Sequence, residues 1–280
     1  VKPMYSLFPK LFRGLPAEAL AGVAQEAGFD GVDLVVREGF IAPERLREEG
    51  GEFVRSMRQS GLRVEFAVTP YTPDQLMKDP APLNTLAELG VKGFRMGYFP
   101  YDDTEGLFSQ LEKARFRMAG LAELCSRLGL KAVYQVHHGY HQLIQHSFAA
   151  LYLVEGLPPE HAGIMLDPGN QFHEGREDFR RAVRVLGRYL AGIGVKDVAP
   201  RQDGTRLHFP AKGWSEAWAT CLEGMTNWEQ LGMALQKLEQ PVVVNLQPFY
   251  EPDDHAKRQA LLKEELAYIK RAFEGKGDRV

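Results

Sequence analysis

Four short apolar runs in this chain each finish in groups that can move a proton or hold a hydroxyl. Lys131-Ala-Val-Tyr-Gln-Val-His-His-Gly139 ends in Gln135, His137 and His138, and His161-Ala-Gly-Ile-Met-Leu-Asp-Pro-Gly-Asn170 ends in Asp167 and Asn170. Leu190-Ala-Gly-Ile-Gly-Val-Lys-Asp197 ends in Lys196 and Asp197, and Gln240-Pro-Val-Val-Val-Asn-Leu-Gln247 ends in Asn245 and Gln247. An imidazole takes up a proton near neutral pH, and an ammonium steadies an oxyanion or, when neutral, forms a Schiff base. A carboxylate beside amides suits hydroxyl recognition or a cation. On a strand, residues two apart share a face, so Gln135 and His137 point one way and Tyr134 and His138 the other, which turns His138 outward.

Other groups are candidates for the same space. Arg95 lies inside an otherwise apolar run, where an unpaired charge is expensive. It either pairs with Asp33 or Glu65 or binds substrate. Lys196 and Asp197 either serve the site, with Asp197 behind Lys196, or simply close the rim as a pair. Glu223, in Leu222-Glu-Gly-Met-Thr-Asn-Trp228, is a carboxylate that acts as acid or base or caps its loop. Trp214, Trp218, Phe8 and Tyr98 offer apolar faces for a ligand. His173 reads as loop surface.

The elements that must position these groups share one grammar. Gln25-Glu-Ala-Gly28-Phe-Asp-Gly-Val, Gln59-Ser-Gly61-Leu-Arg-Val, Glu88-Leu-Gly90-Val-Lys-Gly-Phe and Arg127-Leu-Gly129-Leu-Lys-Ala-Val each run from helix through Gly to strand. The Gly stops the helix in a left-handed turn and the next apolar residue packs back on the last turn. The unit recurs about every 30–40 residues, the size of a βα repeat. Strands are expected at 4–8, 31–36, 63–68, 93–98, 132–137, 163–167, 192–196 and 242–246. Helices are expected at 16–27, 44–60, 83–89, 108–128, 147–155, 177–186, 228–238 and 254–273. Eight buried parallel strands close most economically as a (β/α)8 barrel, one α/β domain over 1–280, with its chemistry at the C-terminal rim. The long rim insertions fall at 98–106, 138–147 and 198–224.

Composition narrows the classes. The 280 residues are 44% hydrophobic and 25% charged with a net charge of −3, which argues for a globular core and against a nucleic-acid surface. Two cysteines, Cys125 and Cys221, make no disulfide framework or thiolate metal site. No run reaches the roughly 20 apolar residues of a membrane span. The N-terminus reads as free of a signal peptide, although a processed leader stays open because the chain does not begin with Met. The expectation is cytoplasmic. No phosphate-binding loop, dinucleotide fingerprint or Ser/His/Asp motif is present.

With these residues in view, the chain resembles the sugar phosphate isomerase/epimerase superfamily, the xylose isomerase-like barrels. The resemblance rests on Met4-Tyr-Ser-Leu-Phe8, Gly28-Phe-Asp-Gly-Val-Asp33, Val133-Tyr-Gln-Val-His137, Asp167-Pro-Gly-Asn170, Val195-Lys-Asp197 and Leu222–Trp228. It implies one divalent metal (Mn, Mg or Zn) held by Glu, Asp, His and Glu at the tips of strands five to eight. Those positions fall on Gln135, Asp167, Gly194 and, at or near strand eight, Asn245. Only Asp167 matches, so any metal would rest on Asp167 with Gln135, and paired-glutamate proton transfer is lost with the carboxylates.

The expected activity is isomerisation, epimerisation or dehydration of a keto sugar or related polyol, by proton transfer next to a carbonyl. His137, Lys196 and Glu223 would be catalytic, and Gln135, Arg95, Asn170, Asn245, Gln247 and Trp214 would bind substrate. A metal-free sugar-binding barrel without catalysis, or a Schiff-base lyase using Lys196, are the alternatives. An endonuclease IV-like nuclease fits worst. The expected partner is a small carbohydrate, with no nucleic acid or membrane, and a homo-oligomer is left open.

Overall fold

The structure is a computed structural model that describes residues 3–173, 177–202, 214–249 and 254–275, without the side chains of His173 and Trp214. The chain opens with β1 (Met4–Leu7), α1 (Ala17–Ala27), β2 (Gly31–Val32), β3 (Leu34–Val35) and α2 (Leu46–Gln59). Then come β4 (Phe66–Val68), α3 (Pro73–Lys78), α4 (Ala81–Glu88), β5 (Gly93–Arg95), α5 (Leu107–Leu128), β6 (Lys131–Gln135) and α6 (Ser147–Val154). The second half holds β7 (Ala162–Leu166), α7 (Pro168–His173), α8 (Phe179–Leu186), β8 (Leu190–Val195), β9 (Asp197–Gln202) and β10 (Trp214–Ala219). It finishes with α9 (Trp228–Leu235), β11 (Val243–Leu246) and α10 (His255–Glu274).

The parallel sheet runs β2-β1-β11-β8-β7-β6-β5-β4-β3. Its two ends, β2 and β3, are separated only by Asp33: β2 pairs with β1 and β3 with β4. They are the two halves of one strand, so the sheet closes into the expected eight-stranded barrel. Strand alternation sorts the side chains. Ala132, Tyr134, Ile164 and Leu166 pack outward beneath the helices, in one cluster with Leu121 and Cys125 of α5. Phe8, Val35, Phe66, Val68, Val133 and Met165 fill the barrel interior. The helix stops are those read from the sequence: Gly28 (φ 93°) and Gly129 (φ 66°) end α1 and α5 in the left-handed region.

Three departures bear on the site. The segment expected as a rim insertion at 198–224 contains an antiparallel hairpin, β9 paired with β10, which Pro200 disguises because proline in a strand is confined to edges. The Asp167-Pro-Gly-Asn170 stretch, where no helix was expected, starts α7, since proline fits a first helical position. Finally, α3 was hidden in a rim loop and is fixed by a capping box between Thr72 and Gln75. Among the described residues no helix is long and apolar enough to cross a membrane.

Candidate functional site

The C-terminal mouth of the barrel is organised on Asp167, which follows β7 and is fully buried. Its Oδ2 accepts from Gln135 Nε2 at 2.5 Å and Asn170 Nδ2 at 2.8 Å, and lies 3.0 Å from the Lys196 ammonium. Its Oδ1 accepts the Asn170 backbone N–H at 2.9 Å, where Asn170 sits in the first turn of α7. From there the network crosses the barrel. Gln135 Nε2 also donates to Gln247 Oε1 at 3.0 Å, Gln247 Nε2 to Asn245 Oδ1 at 2.6 Å, and Asn245 Nδ2 to Asp33 Oδ2 at 2.6 Å. Ser6 Oγ closes it on Asp33 Oδ1 at 2.5 Å. Four strand tips expected to share one space therefore do so, joined by a continuous polar layer over the apolar interior.

Lys196 is 4% exposed. Its Nζ lies 5.2 Å from the ring centre of Trp218 and 4.5 Å from that of Phe249, two rings that pack at 4.8 Å. Burial lowers its pKa, and the Asp167 carboxylate pulls it back up. The ammonium is thus a desolvated cation held by one carboxylate under an aromatic cover, where its field is strong.

His137 is half-buried, edge-on to Tyr98 at 4.6 Å and stacked on His138 at 4.9 Å. Burial pushes its pKa down to about 4; the contact with the His138 backbone opposes this and the Lys196 charge adds to it. The ring is a neutral imidazole at neutral pH. Nδ1 lies 3.0 Å from both the His138 N–H and the His138 carbonyl oxygen. The tautomer that donates Nδ1–H to that carbonyl leaves Nε2 as the proton acceptor.

His138 corrects an expectation. It does not turn away from the site: its Nδ1 is 2.9 Å from Asn170 Oδ1 and its ring stands edge-on to Trp218 at 6.0 Å. The reason is that β6 ends at Gln135, so the two-residue alternation no longer governs residues 137 and 138. Lys196 and Asp197 do not pair with each other either. Asp197 instead accepts from the backbone N–H groups of Val198, Met225 and Thr226, the Thr226 hydroxyl and Trp228 Nε1. That ties the start of the hairpin to the turn before α9.

The remaining candidates scatter. Arg95 makes no ion pair with Asp33 or Glu65. It donates to the Tyr98 hydroxyl at 2.6 Å and the Thr69 carbonyl at 3.2 Å, while Glu65 faces Arg63 at 3.7 Å. Glu223 is exposed on the turn after β10, and its side chain bonds to no described residue. Trp214 begins β10, but its side chain and that of His173 lie outside the described residues. Phe8 belongs to the interior, whereas Tyr98 and Trp218 flank the mouth.

Asp33, Arg37 and Phe249 were missed as site residues. Asp33 and Arg37 carry the same signal as Arg95, a charge in or just after an apolar run. Burial pushes the fully buried Asp33 carboxyl up to about 7, against the bonds from Ser6 and Asn245 and the charge of Arg95. With a folded pKa above the unfolded one, the folded state binds the proton more tightly, and stability is lost as pH rises from about 4 to about 7. His137 has the opposite sign, gaining stability as pH rises from about 4 to 6.5, and masks this in the native curve. The difference between Asp33→Asn and the native protein exposes it. The variant should gain relative stability across that window, by up to about 1.4 kcal/mol per pH unit, and plateau above. Denaturant unfolding at several pH values reads the slope, and parallel curves would remove Asp33 as a titrating group.

The residues present do not fit the divalent metal that the resemblance implies. Four N–H donors already occupy Asp167, and Gln135 turns its amide nitrogen, not its oxygen, toward it. Gly194 stands where a ligand imidazole was expected. A Cβ there would lie 3.1 Å from Gln135 Nε2 and 3.2 Å from both Asp167 Oδ2 and Gln247 Nε2. Among the described residues no three His, Cys, Asp or Glu side chains are grouped to hold an ion. One carboxylate among amide and ammonium donors lacks the anionic oxygens that a hard cation needs.

Residues 21–272 match the profile of the family described as the xylose isomerase-like TIM barrel, and the chain belongs to that family. No curated protein matches it in sequence. Among solved structures it is similar to a D-psicose 3-epimerase with D-tagatose from Clostridium cellulolyticum H10, at 14% identity and a TM-score of 0.72, covering 96% of this chain and 99% of that one. It is also similar to the apo form of a 3-keto-D-glucoside 4-epimerase from E. coli, at 17% identity and a TM-score of 0.69 over 96% and 99% of the two chains. A probable 3-DHS dehydratase of petrobactin synthesis from Bacillus anthracis gives 15% identity and a TM-score of 0.67 over 95% and 98%. At these identities the likeness is one of fold.

Proposed function

We propose that the chain is a sugar isomerase/epimerase-like catalyst that moves a proton next to the carbonyl of a keto sugar or related polyol at the barrel mouth. The observation that carries this reading is the buried Lys196 ammonium, fixed on Asp167 under Trp218 and Phe249 and close enough to His137 to lower its pKa. Lys196 donates to the substrate carbonyl oxygen and stabilises the negative charge that grows there as the enolate forms. His137 Nε2 takes the proton from the neighbouring hydroxyl-bearing carbon and returns it to the former carbonyl carbon, while that carbon's hydroxyl proton passes to the former carbonyl oxygen within the enediolate. Asp167, with Gln135, Asn170, Gln247 and Asn245 around it, holds Lys196 in place and gives the mouth fixed polar edges for hydroxyls.

With one base on one face, this geometry favours a shuttle between adjacent carbons. An epimerisation needs a second proton carrier on the far face; Glu223, exposed on the turn after β10, is the further carboxylate expected to act as acid or base. A Schiff base at Lys196 would require the neutral amine, which the Asp167 contact opposes. The saturation of Asp167 favours a second reading, a barrel that binds a carbohydrate without turning it over.

Deuterium uptake from D2O into a panel of ketoses, followed by NMR, separates the two. Exchange at the carbon next to the carbonyl, reduced about 100-fold or more in His137→Gln, supports catalysis. Binding with no exchange across the panel supports the second reading. The exchange rate of the native protein should hold through neutral pH and fall as His137 protonates below about 4. An acid limb that is unchanged in His137→Gln would assign the proton transfer to another group.

A further inference from the structure

The mouth has two chemically different halves. The tips of β6, β7, β8 and β11 carry the Asp167–Lys196 layer, where each charge is answered. The tips of β3 and β5 carry Arg37 and Arg95, and these are not. Neither guanidinium makes an ion pair with a described carboxylate, although both are partly buried. The Arg37 guanidinium makes no hydrogen bond to a described residue; it lies 5.4 Å from the ring centre of Phe8 and 5.0 Å from that of Phe40.

Arg95 is held by the Tyr98 hydroxyl, the Thr69 carbonyl and the Tyr98 ring face at 5.1 Å, while its buried Nε has no partner. The two are mutually repulsive: Arg37 has a lowered pKa from burial first, then from the charges of Arg95 and Arg13. Asp33 does not relieve them, since both its oxygens accept from Ser6 and Asn245. Like charges gathered in a half-desolvated rim destabilise the empty site, and an anion reverses the sign. A guanidinium with unused N–H donors matches carboxylate and phosphate oxygens in geometry.

We propose that Arg37 and Arg95, with the Tyr98 hydroxyl, seat a small oxyanion carried by the ligand: a carboxylate or a phosphate monoester. This rests on the reading of the mouth as the sugar site and narrows it to an anionic sugar derivative. The carbonyl end of such a ligand lies toward Lys196, whose pKa is also lowered by Arg95. The two halves thus divide the work, anchoring at one and proton transfer at the other.

The test is binding, so it does not depend on turnover. Glycerol 3-phosphate, glycerate and glycerol are titrated into the native protein, Arg37→Gln, Arg95→Gln and the surface control Arg47→Gln, by calorimetry with thermal shift alongside. The native protein and the control should bind at least one anionic probe, and both mouth variants should weaken it about tenfold or more. Glycerol should not bind measurably. Preference for glycerol 3-phosphate identifies a phosphate ester, and preference for glycerate identifies a sugar acid. Anionic probes that bind no better than glycerol, or equally well to both variants, overturn the proposal. Should Arg95→Gln fail to fold, Arg37→Gln decides alone. Anion binding without deuterium exchange would keep this site and sink the catalytic reading; exchange of neutral ketoses without anion binding would do the reverse.

Discussion

Asp197→Ala is expected to destabilise the protein by on the order of 3–5 kcal/mol. The carboxylate is fully buried and receives five donors. Of these, the Met225 N–H also reaches the Val198 carbonyl at 3.0 Å; the other four lose the partner described for them. Each buried group so abandoned costs about 1–3 kcal/mol, with partial relief from relaxation and water. Asp197→Asn keeps one acceptor oxygen but turns an NH2 on donors, so it should fall between alanine and native. Gly224→Ala attacks the same node from outside, because a Cβ there would lie 2.1 Å from Asp197 Cγ. The two effects should combine less than additively, since removing the carboxylate removes the clashes with Cγ and Oδ2 and leaves only that with Asp197 Cβ at 2.4 Å. Chemical denaturation of the two single variants and the double checks this. A loss under about 1 kcal/mol in Asp197→Ala would mean that the turn before α9 rearranges freely.

The second large effect separates two residues that touch. Asp167→Ala leaves the Lys196 ammonium buried beneath Trp218 and Phe249 with no counter-charge, and should cost about 3–5 kcal/mol of stability. Lys196→Met should cost much less, because Asp167 keeps the bonds from Gln135 and from the backbone and side chain of Asn170. Its effect should appear in deuterium exchange instead, as a loss of about 100- to 1,000-fold from removing the donor to the enolate oxygen. Stability and exchange thus move in opposite order in the two variants, a pattern that a purely rim-closing ion pair would not give. Equal stability losses with no change in exchange would assign the pair to the scaffold.

The sequence by itself determined the barrel and most of its floor plan. Gly28, Gly61, Gly90 and Gly129 announced helix stops, and all four adopt positive φ, because a residue without a Cβ carries that conformation at least strain. The apolar runs between them became the parallel strands for an equally local reason: two-residue alternation and burial on both faces. Gln135, Asp167, Lys196, Asn245 and Gln247 were legible as strand tips, because C-terminal polar groups on apolar strands must face the mouth.

What lay beyond the sequence was pairing across the barrel. That Lys196 joins Asp167 and not its neighbour Asp197, that Gln135 offers nitrogen and not oxygen, and that His138 turns inward all depend on residues far away along the chain. The two-residue period predicts a face only while the ladder lasts, and β6 ends at Gln135. Arg37 and Arg95 gave the same signal in the chain as any buried arginine. Only the tertiary structure set them on either side of β4 with no ion pair to a described carboxylate, since charge compensation is decided by the strands that closure brings together.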